Sequence, residues 1–110
     1  ECGCGWVPYW MDRMDEEWEN RQSEAPLLKA KPSEYIVNGN WFFAAEPEER
    51  TLAYVMERIG DNKIIFASDY PHWDGRFPYV VSTIRGRNDI SNESKQKFLG
   101  DNAKRLYGWD

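Results

Sequence analysis

Histidine occurs once in these 110 residues, at His72, and cysteine twice, as Cys2 and Cys4. One histidine cannot supply a histidine cluster to a metal, and a lone histidine more often holds a loop together than ligates an ion. Two cysteines separated by a single residue in an extended segment point the same way and close no useful loop. That excludes a disulfide framework and fits a reducing compartment. Basic charge is also short, since 14 Lys and Arg stand against 19 Asp and Glu for a formal net charge of −5. The carboxylates are spread along the chain and no basic stripe exists, so a phosphate backbone meets net repulsion and nucleic acid is excluded as a partner. No apolar run approaches the roughly 20 residues of a membrane helix, and the opening "ECGCGWVPYW" lacks the basic segment and apolar run of a signal peptide. The expectation is a cytoplasmic protein with no membrane partner. An initiating methionine is missing as well. Glu1 stands first and glycines follow at once, as if the chain began partway through an element.

Apolar and aromatic residues are present at 41% and 15%, enough for one small core. In "WVPYWMDRMDEEWEN", Trp6, Trp10, Met14 and Trp18 recur every fourth residue, which predicts a helix with a heavy apolar stripe and the tryptophans in the core. Two prolines and no sustained period make residues 21–34 a surface loop. The stretch "YIVNGNWFFAA" is rich in β-branched and aromatic residues, and Trp41 to Ala45 reads as a strand buried on both faces. Glu46-Pro47-Glu48-Glu49 predicts a helix start, continued by Leu52, Val55, Met56 and Ile59 and stopped by Gly60. A second strand runs from Lys63 to Ser68. Strand, helix and strand in that order form a βαβ unit with parallel strands, hence an α/β fold. Further helices are expected over Phe77 to Ile84, after Ser91 with Phe98 and Leu99, and after a capping Asp101 with Ala103, Leu106 and Tyr107.

In parallel α/β architectures, ligands bind beyond the carboxyl ends of the strands. "IIFASDYPHWDG" places Asp69 there. A strand-end aspartate can ligate a divalent metal, take a proton from water, or cap the following turn through backbone N–H groups. His72 can hold the loop, contact a substrate, support Asp69 or ligate a metal, and Asp74-Gly75 is a turn signature. Cys2, Cys4, His72 and Asp69 together would number four zinc ligands, although the usual CxxC spacing is absent.

The runs "DNKIIFASDYPHWDG", "ECGCGWVPYWMDRMD" and "GDNAKRLYG" together resemble the C-terminal part of the amidohydrolase-related family, often called amidohydrolase family 2. That resemblance implies a (β/α)₈ TIM-type barrel with a mononuclear metal centre, acting as a hydrolase or a non-oxidative decarboxylase on a small-molecule substrate. A complete barrel takes about 250 residues, so residues 1–110 would form a single partial domain carrying its last two to three strands with their helices. Asp69 would end the eighth strand as metal ligand or proton-transfer group, and Trp41 to Ala45 would belong to the seventh. Glu1 to Gly5 would lie at the end of the sixth, where decarboxylase relatives carry a histidine. His72, Glu1 and Trp73 would be pocket-lining or supporting residues, and zinc is the default metal for a site mixing carboxylate and histidine. The family's histidine ligands have no counterpart here, so the isolated chain is expected to be inactive. An alternative is a stand-alone α/β remnant whose copies associate to cover open strand edges.

Overall fold

A computed structural model describes residues 2–109, and the candidate Glu1 lies outside them. The first helix, α1 (Trp6–Asn20), forms where the aromatic spacing places it. The segment that follows is a loop with one 3₁₀ turn at Gln22–Glu24. A helix, α2 (Pro32–Asn38), then replaces the first half of the expected strand. Its start explains the difference. Pro32 opens it, Lys31 N–H donates to Glu34 Oε1 at 3.3 Å, and Asp15 of α1 accepts from Ser33 N–H at 2.9 Å and Ser33 Oγ–H at 2.6 Å. Satisfied donors at the helix start outweigh the β-propensity of Ile36 and Val37, which is a context-dependent preference.

Strands β1 (Phe43–Ala45) and β2 (Ile64–Phe66) flank the helix α3 (Leu52–Ile59) and pair in parallel, with Phe43 opposite Ile64 and Ala45 opposite Phe66. The βαβ unit is as the sequence predicts. Each strand is only three residues long, however, and burial on both faces does not hold. Alternation puts Phe43, Ala45, Ile64 and Phe66 on the helix-covered face, while Ala44 is exposed and Trp41, ahead of the strand, is 53% exposed. Lys63, itself 8% exposed, donates from Nζ to Gly39 O at 2.6 Å and so ties together the residues ahead of both strands.

Helix α3 buries Leu52, Val55, Met56 and Ile59, and Gly60 ends it at φ 95°, a backbone region that glycine enters without steric cost. Its start lies later than expected. Residues 46–51 form turns closed by Glu49 N–H to Glu46 O, because the Glu49 carboxylate is drawn away to the beginning of α1. Small side chains there let α1 and α3 approach. Cys4, Val7 and Met11 are buried in the common core, and Arg58 of α3 meets Asp12 of α1 at 2.8 Å. The tryptophan stripe lies beside this contact face rather than on it. Trp6 is 42% exposed and Trp10 is 52% exposed, which corrects the expectation that the tryptophans are core.

The helix α4 (Val80–Arg85) buries Val80 and Ile84, but the turns at residues 77–79 precede it and leave Phe77 at 63% exposure. Ser91 caps α5 (Asn92–Gln96) as expected, its Oγ accepting from Ser94 N–H at 3.0 Å. Asp101 does not cap a new helix. A π turn over Lys97–Asp101 joins α5 to α6 (Asn102–Tyr107) without leaving right-handed helical dihedrals. That turn presses Phe98 edge-on against Phe66, at 5.9 Å between ring centroids. It also delivers Asn102, 3% exposed, to donate from Nδ2 to Asp61 O and Ile64 O, each at 2.7 Å. Among the described residues no helix is long and apolar enough to cross a membrane.

Asn102 is thus the buried bolt between the C-terminal helices and the start of β2. Asn102→Ala leaves two carbonyls without donors, and urea unfolding should show a loss of about 2–4 kcal/mol. A loss below about 0.5 kcal/mol would mean that water replaces the amide.

Candidate functional site

Because β1 and β2 are parallel and in register, the segments leaving Ala45 and Phe66 emerge at the same sheet edge. Glu46 is the first residue beyond β1, and Asp69 is the third beyond β2. The Glu46 carboxyl is pushed above the usual carboxylate range. Desolvation is the largest cause, followed by the charges of Asp69, Glu48, Asp74 and Glu49. The charges acting on Glu46 thus come from the loops after both strands. The rule that singles out Asp69 in the sequence applies equally to Glu46, which the reading of residues 46–49 as a helix start had concealed.

Asp69 sits at φ 52°, in the left-handed region that few residues other than glycine, asparagine and aspartate adopt. The turn after it is closed by backbone. His72 N–H donates to Asp69 O at 2.6 Å and Gly75 N–H to His72 O at 3.1 Å. A Cβ at Gly75 would stand 3.0 Å from Ser68 O and 3.2 Å from His72 O, so the loop folds against its own glycine. His72 is exposed, and Trp73 is 94% exposed, carried outward beyond the turn. Asp69 and Asp74 act on Glu46 through their charges, whereas His72 and Trp73 are exposed on the turn.

Two further contacts hold this edge, and neither is suggested by a sequence motif. Arg87, whose side chain is 9% exposed, donates to Pro47 O at 3.0 Å and to Glu49 O at 2.9 Å while its guanidinium holds the Asp89 carboxyl below the usual range. Arg76 pairs with Glu48 and so joins the loop after β2 to the loop after β1. The other Glu48 oxygen, Oε2, is buried without a hydrogen-bond partner among the described residues.

At the start of α1, the Glu49 carboxylate accepts from Cys4 N–H at 2.9 Å and from Gly5 N–H at 2.6 Å, and Thr51 Oγ1–H adds a third bond at 3.1 Å. The glycines of "ECGCG" now have a reason. Gly3 adopts φ 63°, and a Cβ there would lie 2.9 Å from Glu49 Oε2, while one at Gly5 would lie 2.6 Å from Thr51 Oγ1. Burial, then the adjacent Glu49 charge, pushes the Cys4 thiol up to about 12. Cys2 is exposed, Cys4 is buried beside Glu49, and His72 lies on the loop after β2, so the four-ligand zinc arrangement does not form. Among the described residues no three His, Cys, Asp or Glu side chains converge to hold a metal, so the donors present do not fit a complete metal centre.

The family model described as Amidohydrolase matches residues 1–109. The chain belongs to the amidohydrolase family. No curated protein matches it by sequence. Amidohydrolases are TIM barrels that generally depend on a metal and bind small molecules, and the β1–α3–β2 unit is the kind of repeat from which such a barrel is built. The acidic edge of this amidohydrolase chain is the carboxyl edge of that unit.

If Asp69 faces Glu46 as the charges indicate, Asp69→Asn removes a repelling anion and the Glu46 titration should move down toward the usual carboxylate range. A ¹³C-carboxyl NMR titration measures it, and an unmoved midpoint would show that the two do not share a space. A second test concerns Cys4. A folded thiol held protonated to about 12 stays inert at about pH 8, so native-state alkylation should label Cys2 alone, and Cys4 only on unfolding. The raised thiol contributes fully below its ordinary value, and that contribution is lost as pH rises toward 12.

Proposed function

We propose that this chain is the C-terminal part of an amidohydrolase barrel and supplies Asp69 to the mouth of a hydrolase or decarboxylase site for a small-molecule substrate. The observation that carries the reading is the placement of Asp69. Its left-handed backbone follows a parallel strand at the carboxyl edge, in a turn whose closing bonds are main-chain, which leaves the carboxylate available for chemistry. In hydrolysis Asp69 accepts the proton of the attacking water at a carboxylate oxygen, and Glu46, with its raised protonation range, takes part in holding that proton at the edge. A metal, zinc by default, would supply Lewis acidity in the complete barrel. Asp69 would be one of its donors, with the others outside these 110 residues. His72 and Trp73 would line the approach, as would Glu1. The 110-residue chain alone is then inactive.

A second reading rests on the outer edges of β1 and β2, since among the described residues each strand pairs only with the other. In that reading the chain is a non-catalytic α/β remnant, and copies pair along those edges. The two free thiols support the cytoplasmic location in either case.

The test is turnover by the complete enzyme against small amides, esters and aromatic carboxylates. Asp69→Asn should lower kcat by about 10²–10⁴-fold with an unchanged circular dichroism spectrum, and His72→Ala by less than about tenfold. Unchanged turnover in Asp69→Asn would remove that residue from the mechanism.

A further inference from the structure

A line of contacts leads from the segment after α4 to the loop that carries Asp69. Arg87 stands two residues beyond α4, with a side chain only 9% exposed. Every nitrogen of its guanidinium is engaged. Nε and Nη2 donate to the Asp89 carboxylate at 3.0 and 2.6 Å, Nη1 donates to Pro47 O at 3.0 Å, and Nη2 also donates to Glu49 O at 2.9 Å. Glu48 is the residue between those two carbonyls, so the fork fixes the backbone on both sides of it. Its carboxylate meets Arg76 through Oε1, while Oε2 is buried with no hydrogen-bond partner among the described residues. The place of that carboxylate is therefore set by the backbone that Arg87 holds. Arg76 continues the line. Gly75, just before it, lies against the end of β2, since a Cβ there would stand 3.0 Å from Ser68 O and 3.4 Å from Asp69 O. A displaced Arg76 thus disturbs the backbone on which Asp69 is mounted.

We propose that Arg87 and Arg76 are positioning residues for Asp69, coupled to each other through Glu48. The proposal rests on the reading of Asp69 as the proton-transfer group. Neither arginine touches the reacting atoms. Arg87 sets the loop after β1, that loop presents Glu48, and Glu48 holds the loop after β2 through Arg76. The chemistry of the first link requires arginine, because only a planar fork can hold two carbonyls while it meets a carboxylate, and a lysine ammonium cannot span them. The second link is a bridge between side chains 58% and 36% exposed, which adds little to stability. Its loss is consequently read in the geometry of the Asp69 loop and in rate, rather than in unfolding.

Amide hydrogen exchange and turnover of the complete enzyme test the coupling. Arg76→Gln should speed exchange about tenfold at the His72 and Gly75 amides, whose bonds close the turn after Asp69, and leave the α3 amides unchanged. Arg87→Lys should do the same and also loosen the Glu49 amide. Loosening at Glu49 alone would overturn the proposal, because the clamp then stops at its own loop. Uniform acceleration that includes α3, in Arg87→Lys and in the milder Asp89→Ala alike, would overturn it as well, since the fork then serves stability only. With small amides, esters and aromatic carboxylates as substrates, each arginine variant should lower kcat about tenfold with KM within about twofold, and the double variant about tenfold again rather than a hundredfold. A hundredfold loss in the double variant would show independent effects and sink the coupling. Arg13→Gln, which breaks ion pairs on the outside of α1, should leave kcat unchanged. Asp69→Asn in the same assay separates the two failures. If it keeps turnover, the reading of Asp69 has failed; if it abolishes turnover while the arginine variants keep theirs, only the positioning proposal has.

Discussion

The Glu49 carboxylate is the contact on which the arrangement depends. It lies 44 or 45 positions along the chain from its main partners, accepts the N–H groups of Cys4 and Gly5, and thereby supplies α1 with the N-terminal cap that no local side chain provides. A carboxylate in that position also opposes the positive end of the helix dipole. The same bonds determine where α3 begins. With its carboxylate committed to α1, Glu49 leaves α3 to start at Leu52, and residues 46–51 become the turns that carry Glu46 to the sheet edge. One anion therefore sets a helix start, a loop shape and the position of another carboxylate. Cys4 is part of the arrangement, since a thiolate beside Glu49 would add a second buried anion, and the thiol stays protonated instead.

Holding several carboxylates at one edge is electrostatically unfavourable, and the surrounding contacts explain how the fold tolerates it. Arg87 grips the backbone of the loop after β1 from beneath, at Pro47 and Glu49, and Arg76 neutralises Glu48. Neither arginine contacts Asp69 or Glu46. Desolvation first, and the charges of the neighbouring carboxylates second, raise the protonation range of Glu46. Such an environment biases Glu46 toward its protonated form.

Elements set by local spacing were legible in the sequence. Leu52, Val55, Met56 and Ile59 with Gly60 describe the buried face and the end of α3, Ser91 announces its cap, and the order of strand, helix and strand implies the parallel pairing of β1 with β2. What could not be read depends on distant partners. α2 is a helix because Asp15, 18 positions earlier, satisfies its first donors. The clamp by Asn102 spans 41 positions to Asp61 and 38 to Ile64, and that of Arg87 spans 40 to Pro47. No window of neighbouring residues contains such pairs. At the strand edge, Asp69 was legible from the strand-end rule, whereas Glu46 was hidden by a Pro-Glu-Glu pattern that resembles a helix start.

The tryptophan stripe illustrates a different limit. Periodicity identifies a face but not its neighbour. On α1 the tryptophan stripe of Trp6, Trp10, Met14 and Trp18 lies beside a smaller one of Val7 and Met11, and both satisfy helical spacing. Packing density decides between them. A helix can approach α3 closely through valine, methionine and cysteine, and the approach is secured by Arg58 and Asp12, while indoles in that position would hold the helices apart. The wider stripe is consequently displaced onto the side facing α2, where the short helix covers only part of it. Exposed indoles on α1 thus arise from the same choice that closes the core.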